Sequence, residues 1–522
     1  MSNFITGFMS LLNPVSILLI GGGVLLGIVF GALPGLNTAM AVCLCLPLTF
    51  VLTPINGIGM IMGIFIGGVS GGLISAILLN IPGTAAAMST AFDGHPMAMN
   101  GQAHKALGIG IFYSFMGTIL GMIALITISK PMADVALHFR SVEYFAISIF
   151  SLSMIASLSG KSLTRALIAG CLGLLFSTVG ISPIDYTTRF TFGTRSLANG
   201  FNQVAILTGA FAISTVMNSI RKPHVIRSSD FRKTKMRGFG FTFAEFVGNI
   251  WNMIRSAAIG VFVGILPGIG AGTSNLIAYS TAKNSSKHPE KFGTGYMDGI
   301  VASETANNAT VCGAIIPLLT LGIPGDLGTA FLLSALQIHG ISPGPLLFNT
   351  RPELVYVCFA GILIAVILMV FFEYFGIRMF TKILTIREYI LLPIIVMLCG
   401  VGAFANSSNV FDVIWLMVFG IIGYIMVTHE YPIGPMVIGF ILGPMTETNL
   451  RRCLMVSENG SVKGLFSPIA CVFYALAVLM IVISVRNTRK LQKRAAAGAA
   501  ADGAPAAAVE TDPEEPVDVT VE

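Results

Sequence analysis

Apolar runs of the length a helix needs to cross hydrocarbon, about 17–25 residues, follow one another along nearly the whole chain. They leave one fold class. With 54% hydrophobic and 10% charged residues over 522 positions, against roughly 25% charged in soluble domains, the apolar surface is too large for a soluble core and must face lipid. We read an all-α polytopic membrane protein of about twelve transmembrane helices. Where Gly and Pro interrupt the runs we expect re-entrant or broken helices, with pieces such as Thr273–Ala282 and Ile433–Leu442 too short to span alone.

The net charge of +6 would suggest a nucleic-acid partner in a soluble protein, but here the cations collect at membrane edges and no nucleic acid is implied. Arg221, Lys222, Arg227, Arg232, Lys233, Lys235 and Arg237 form one cluster, and Arg486, Arg489, Lys490, Lys493 and Arg494 another. Both should face the cytoplasm. They divide the chain into a first membrane repeat (1–220), a basic cytoplasmic loop (221–245), a second membrane repeat (246–486) and a cytoplasmic tail (487–522). The tail's Ala, Gly, Pro and acidic residues offer too little apolar area to order it, so disorder is expected there. The N-terminus has no basic stretch or small-residue cleavage site, so the run from Val15 reads as a retained span. Eight cysteines, scattered singly apart from Cys43 and Cys45, form no disulfide framework or zinc spacing. No metal site and no cofactor are expected.

Compared with itself, the chain shows a duplication. GIVFGALPGLNTA (27–39) matches GVFVGILPGIGAG (260–272), with Pro267 following Pro34 by 233 residues. NIPGTAAA (80–87) resembles GIPGDLGT (322–329), with Pro324 following Pro82 by 242. Two copies of one design explain the shared order; chance likeness between Gly/Pro turns is the rival. Residues Met1–Pro14 hold no Lys or Arg, whereas a basic cluster precedes the second copy, so the first copy should enter from outside and the second from the cytoplasm. Many secondary transporters use such inverted repeats and place substrate at the repeat interface, near the bilayer midplane.

Broken helices at membrane depth survive only where protein or an aqueous cavity satisfies their backbone, so chemistry is expected at the four Pro-Gly breaks. Ile254–Leu266 would rise only about 20 Å, short of a core roughly 30 Å thick. The alternative is a helix that starts earlier, near Phe246 or Trp251, with Pro267-Gly268 an interfacial turn. Small and polar residues follow each break, as at a helix start, and a helix N-terminus turns free N–H groups and about half a positive charge toward an anion such as a carboxylate. The candidate substrate-binding residues are Gly35, Asn37, Thr38, Gly83 and Thr84 in the first half, with Gly268, Gly270, Gly272, Thr273, Ser274, Asn275 and Gly325 in the second. Two helix ends supply about +1 while a di- or tricarboxylate carries about −2 to −3. Co-bound cations, Na+ or protons, would meet the shortfall.

In SETANNAT (303–310), Glu304 sits inside an otherwise apolar stretch with Thr305, Asn307, Asn308 and Thr310. An ionisable group at such depth suggests a functional site, and on a helix Glu304, Asn307 and Asn308 share a face. The candidate cation-binding residues are Glu304, Thr305, Asn307, Asn308 and, beyond the last break, Asp326. A structural polar cluster tying helices together is the other reading of the first four, and a simple helix N-cap that of Asp326.

At these residues the sequence resembles the large membrane subunit of the tripartite tricarboxylate transporter family. The carrying motifs are GALPGLNTA; IPGTAAAMSTAFDGHPMAMNGQAHKALG, around Asp93, Gly94, Pro96, Met97 and Gly101; GILPGIGAGTSN; FGTGYMDGIVASETANNA; and LTLGIPGDLGTA. They occur in one order over most of the chain. In one departure, Ala302 and Ser303 precede Glu304 where the family usually has a proline, as APE. The resemblance implies a multi-pass transporter subunit of a bacterial inner membrane that imports di- and tricarboxylates by Na+ symport. It also implies a small integral-membrane subunit and a periplasmic binding protein as partners. Two other readings stay open. Against a membrane-embedded enzyme, the G-x-G-D pattern of aspartyl intramembrane proteases fails at Gly325-Asp326 and no H-E-x-x-H occurs. A passive organic-anion channel would carry flux independent of any cation gradient.

Overall fold

The computed structural model describes residues 2–33, 36–153, 155, 162–221, 238–267, 270–383, 388–407, 409–456 and 462–501. Pro34, Gly35, Gly268, the stretch Lys222 to Arg237 and the tail from Asp502 lie outside the described residues. The first half contains α1 (Ser2–Leu11), α2 (Pro14–Ala32), α3 (Thr38–Thr49), α4 (Pro54–Leu79), a 3₁₀ turn (Ala85–Ala87), α5 (Thr90–Met97), α6 (Ala103–Ala136), α7 (Ser141–Ser153) and α8 (Leu163–Ser177). A two-stranded hairpin, β1 (Gly180–Ile181) and β2 (Thr188–Arg189), leads to α9 (Gln203–Thr208) and α10 (Ser214–Arg221). The second half contains α11 (Phe243–Ile265), α12 (Gly270–Ser285), α13 (Met297–Leu321), α14 (Leu327–Ile338), α15 (Leu347–Thr350) and α16 (Pro352–Ile383). It ends with α17 (Glu388–Ser407), α18 (Val410–Thr428), α19 (Ile433–Val456) and α20 (Pro468–Ala501).

Among the described residues, eight helical stretches are long and apolar enough to cross a membrane. Fewer qualify than the runs read from the sequence because α3, α7, α8 and α14 are apolar but only 12–15 residues long, while α13 and α19, long enough at 25 and 24 residues, are too polar to count. The best apolar window of α4 is wholly buried, whereas that of α20 is 12% buried. The molecule is therefore built around α4, and α20 turns Val472, Val478 and Leu479 outward toward lipid. This last helix continues past Val485, where the apolar run ends, to Ala501.

What holds the centre is glycine. A Cβ at Gly23, Gly27 or Gly31 of α2 would run into the carbonyl oxygen of Met60, Ile64 or Gly68 of α4, and one at Gly63 or Gly67 into those of Ile20 and Val24. Lipid tails are as apolar as leucine, so helices in a membrane gain by close van der Waals approach of backbones, which small residues permit. Both helices advance together along this seam, so they run parallel. The second half repeats the arrangement: a Cβ at Gly260 would meet the Ala306 carbonyl, and one at Gly264 that of Thr310, 2.5 Å away. The partners Gly27–Ile64 and Gly31–Gly68 thus recur as Gly260–Ala306 and Gly264–Thr310, shifted by the 233 and 242 residues that separate the sequence motifs. The duplication is real at the level of backbone contacts.

The two halves run in opposite directions. Ile77, in the last turn of α4, packs against Gly94, and its carbonyl lies 3.1 Å from His95 Nδ1. Two residues earlier on α5, Asp93 holds the segment that opens α13. α4 therefore ends where α13, its counterpart, begins. The halves also exchange partners: α6 of the first packs on α13 of the second, and α16 of the second on α4 of the first. At the end of the molecule where α4 finishes, Lys105 pairs with Glu245 at 2.7 Å and the Gly238 N–H donates to Tyr374 Oη at 3.0 Å. Gly238, the first described residue after the basic stretch, thus lies at this end.

The seam also sets the depth of the breaks. Gly31 meets α4 at Gly68, and Gly264 meets α13 at Thr310; each partner helix runs eleven residues further, to Leu79 and Leu321, about 16 Å at 1.5 Å per residue. α11 corrects one expectation. Its 23 residues, opened by a Thr242–Glu245 capping box, start well before Ile254, so the helix is not short; it stops at depth because its first turns extend beyond the start of α13. Replacing Gly83 with Ala should abolish the folded protein, since its Cβ would lie against the Gly31 carbonyl. Gly22→Ala, in open space, should leave a monodisperse peak of normal height on fluorescence-detected size-exclusion chromatography; equal recovery of both would refute the seam.

Candidate functional site

Each break starts a new helical segment, and at two of the four the residue that opens it also caps it. Asn37 caps α3, its Oδ1 accepting the Met40 N–H at 2.8 Å. Asp326 caps α14, its Oδ1 accepting the Thr329 N–H at 2.8 Å while Thr329 Oγ1 accepts the Asp326 N–H at 2.8 Å. Thr84 precedes the 3₁₀ turn with a buried hydroxyl that has no partner. α12 opens at Gly270, whose φ of 72° lies in the left-handed region that glycine tolerates.

These four starts form one neighbourhood. Thr38 lies on α4 at Gly68, where a Cβ would come within 2.6 Å of its Cγ2, and Thr84 lies one turn along at Gly72, within 2.5 Å. Gly272 faces the Ala85 carbonyl, and Gly270 has Asp326 as its nearest neighbour. Gly83 and Gly325 close the same contact in the two halves, against the carbonyls of Gly31 and Gly264. Of the expected substrate residues, Asn37, Thr38, Gly83, Thr84, Gly270, Gly272 and Gly325 are thus brought together. Gly35 and Gly268 lie outside the described residues, and Thr273 is on the exposed side of α12.

Ser274 and Asn275 serve another purpose. Ser274 Oγ is 2.6 Å from Thr310 Oγ1 on α13. Asn275 donates to the carbonyls of Ala86 (2.6 Å) and Ser303 (3.4 Å) and accepts the Ser89 N–H at 3.0 Å. With both ends of its amide spent on backbone, Asn275 is a staple between the halves.

The polar stretch of α13 is helical and buried: Ser303, Glu304, Thr305, Asn307, Asn308 and Thr310 are all 0% exposed. Glu304 accepts hydrogen bonds from Thr90 Oγ1 at 2.5 Å and Ser114 Oγ at 2.8 Å, both hydroxyls from the other half. Asn308 Nδ2 donates to the Glu304 carbonyl at 3.1 Å. Around this carboxylate, Ser303 Oγ, Thr305 Oγ1, both polar atoms of Asn307 and Asn308 Oδ1 have no partner. Buried polar atoms are nearly always satisfied, so the four uncommitted oxygens among these, on two turns of one helix, are open to an ion or water, and the Asn307 Nδ2 to an acceptor. Among the described residues, no three His, Cys, Asp or Glu side chains group as a metal site would need.

Two buried acids escaped the sequence reading of the site. Glu373 on α16 is 0% exposed, with Ser70 Oγ donating to its Oε2 at 3.0 Å and nothing at Oε1. The sequence signal is a lone acid placed directly after the apolar run Leu354–Phe372. Asp93, noted only within a motif, is a joint. Its Oδ1 accepts the N–H groups of Gly293, Gly295 and Tyr296 at 2.8–3.0 Å and its Oδ2 the Tyr279 hydroxyl at 2.9 Å. Hydrogen bonds to charged groups contribute about 1.5–3 kcal/mol each, so Asp93→Ala should lower the unfolding temperature of the purified chain far more than Tyr279→Phe, which removes one bond. Equal, small shifts in a thermal unfolding assay would exclude this role.

The comparisons with known proteins agree with this architecture. Residues 17–438 match the family described as "Tripartite tricarboxylate transporter TctA family". An "Uncharacterized 52.8 kDa protein in TAR-I ttuC' 3'region" of Agrobacterium vitis is 35% identical over 492 residues, 94% of this chain and 97% of the relative. An "Uncharacterized protein in TAR-II ttuC' 3'region" of the same organism is 35% identical over 234 residues, 44% of this chain and 97% of the relative. With paired breaks held at depth between opposed halves, and a match over most of its length, the chain belongs to the tripartite tricarboxylate transporter TctA family.

Proposed function

We propose that this chain is the large membrane subunit of a cation-coupled importer of di- and tricarboxylates in a bacterial inner membrane. It would receive its substrate from a periplasmic binding protein and sit beside a small integral-membrane subunit. The observation that carries the reading is the convergence of the Asn37, Thr84, Gly270 and Asp326 helix starts at depth between opposed halves. Of the three full helix N-termini there, α14 is capped by the Asp326 carboxyl, which leaves α3 and α12 to offer about +1 to an anion of about −2 to −3. The uncommitted oxygens around Glu304 would take the cation that makes up the difference, since broken transporter helices commonly pair an anion at a helix tip with Na+ on nearby oxygens. The basic stretch Lys222–Arg237 sets the orientation, placing the end where α4 finishes in the cytoplasm.

Uptake of citrate, tartrate and succinate into proteoliposomes holding the assembled transporter should collapse when Na+ is replaced by choline at constant pH. Undiminished uptake of the transported acid would exclude Na+ coupling. Asn307→Ala removes a buried amide oxygen next to Glu304, so the protein should still elute as a monodisperse peak while the Na+ concentration for half-maximal uptake rises roughly tenfold, about 1.4 kcal/mol of binding, through loss of one oxygen ligand. An unchanged Na+ dependence would remove the α13 cluster from the coupling site.

A further inference from the structure

We propose that the cavity at the end of the molecule opposite the basic stretch is a capture site for a small di- or tricarboxylate, held by Arg351 and Arg452. The cavity encloses about 940 Å³ between the C-terminal ends of α6, α13, α14 and α19 and the segment around α15, within the range of small-molecule sites, about 300–1,000 Å³. Its polar lining includes Arg351, Arg452, Gln203, Gln337 and Asn449, and no Asp or Glu lines it.

The charge is uncompensated. The acids near Arg452 are committed elsewhere: Glu447 binds Arg189 at 2.5 Å and Arg451 at 2.9 Å, and Asp185 binds Arg451 at 3.2 Å; Glu353, two residues from Arg351, does not line the cavity. A hydrogen bond from the Ser182 hydroxyl, with others from Thr187 and Arg451, holds Asp185 well below the usual carboxylate range, so this pairing stays ionised. Arg452, the next residue, and Arg351 are exposed and have no acidic partner among the described residues. A guanidinium presents a rigid fork that binds a carboxylate through two parallel hydrogen bonds, and two in one cavity match a molecule with two or three carboxylates. The C-terminal ends of the surrounding helices carry only partial charges, about −0.5 each, that fall off within the last turn, whereas each guanidinium carries a full charge.

Position gives the cavity its use. Gln203 is fixed by a 2.7 Å bond to Ser334 of α14, and Gln337 stands near the end of the same helix. The opposite end of α14 is Asp326, in the cluster of helix starts, about 18 Å away along its 12 residues. An acid collected at the arginines would be one helix length from the breaks. That the cavity faces the periplasm rests on the importer reading; the ligand class rests on the arginines.

The test is equilibrium dialysis of the full chain in nanodiscs against radiolabelled citrate, tartrate and succinate, without an ion gradient. At least one acid should bind. Arg351→Gln and Arg452→Gln should each weaken it roughly tenfold or more, Lys at either position should restore part of the loss, and Arg195→Gln, outside the cavity, should change nothing. Size-exclusion profiles of the variants guard against misfolding. Absence of binding for all three acids, or a double Gln variant that binds like the parent, would overturn the capture site. In the transport assay the double variant should raise KM and spare kcat; an unchanged KM would count against this site alone. Cation-independent uptake with arginine-dependent binding would count against the coupling alone.

Discussion

The architecture depends on backbone meeting backbone. In lipid no hydrophobic force pushes helices together, and at the two central seams the fold relies on glycines set every four residues against carbonyl oxygens, Gly23, Gly27 and Gly31 on α4 and Gly260 and Gly264 on α13. These contacts fix where α2 and α11 may stop. Because both stop with eleven residues of their partners still to run, the polar chain that follows each break is carried into the interior, where only protein or an enclosed cavity can satisfy it.

Around that frame the second half supplies acids and the first half supplies hydroxyls. Glu304 is held by Thr90 and Ser114, Glu373 by Ser70, and Asp93 reverses the direction by reaching from α5 to the segment before α13. Every one of these bonds crosses the boundary between the repeats. Whatever rearrangement accompanies transport, Asp93 and Asn275 tie the halves together at the start of α13 and α12, so relative movement of the repeats must leave those points fixed or break several buried bonds at once.

Much of this was legible in the sequence, and the reasons differ by residue. Hydrophobic length gave the fold class, and the repeated Pro-Gly motifs gave the duplication, because a break in an apolar run is a local signal. Caps at Asn37 and Asp326 were legible for the same reason. What was hidden depends on partners far along the chain. Nothing local separates Asn275, spent on Ala86, Ser89 and Ser303, from a ligand-facing asparagine, and nothing local says that Glu373 is buried. The length argument for α11 failed because length does not report depth: the helix simply begins outside the seam. Nothing local singles out Arg351 and Arg452, which come around one space only through the folding of α14, α15 and α19.

The exchange of partners between halves has a consequence for biosynthesis. Ser114 of α6 and Glu304 of α13 are 190 residues apart, so at ribosomal rates of about 5–20 residues per second α6 enters the bilayer about 10–40 s before its partner exists. For that interval Ser114 and Thr118, with Gly117 and Gly121 beside them, have no protein surface from α13 to rest on. The nascent first half must wait in the membrane with this interface unfilled, until α13 inserts into a slot that the first half has kept open and α16 follows onto α4.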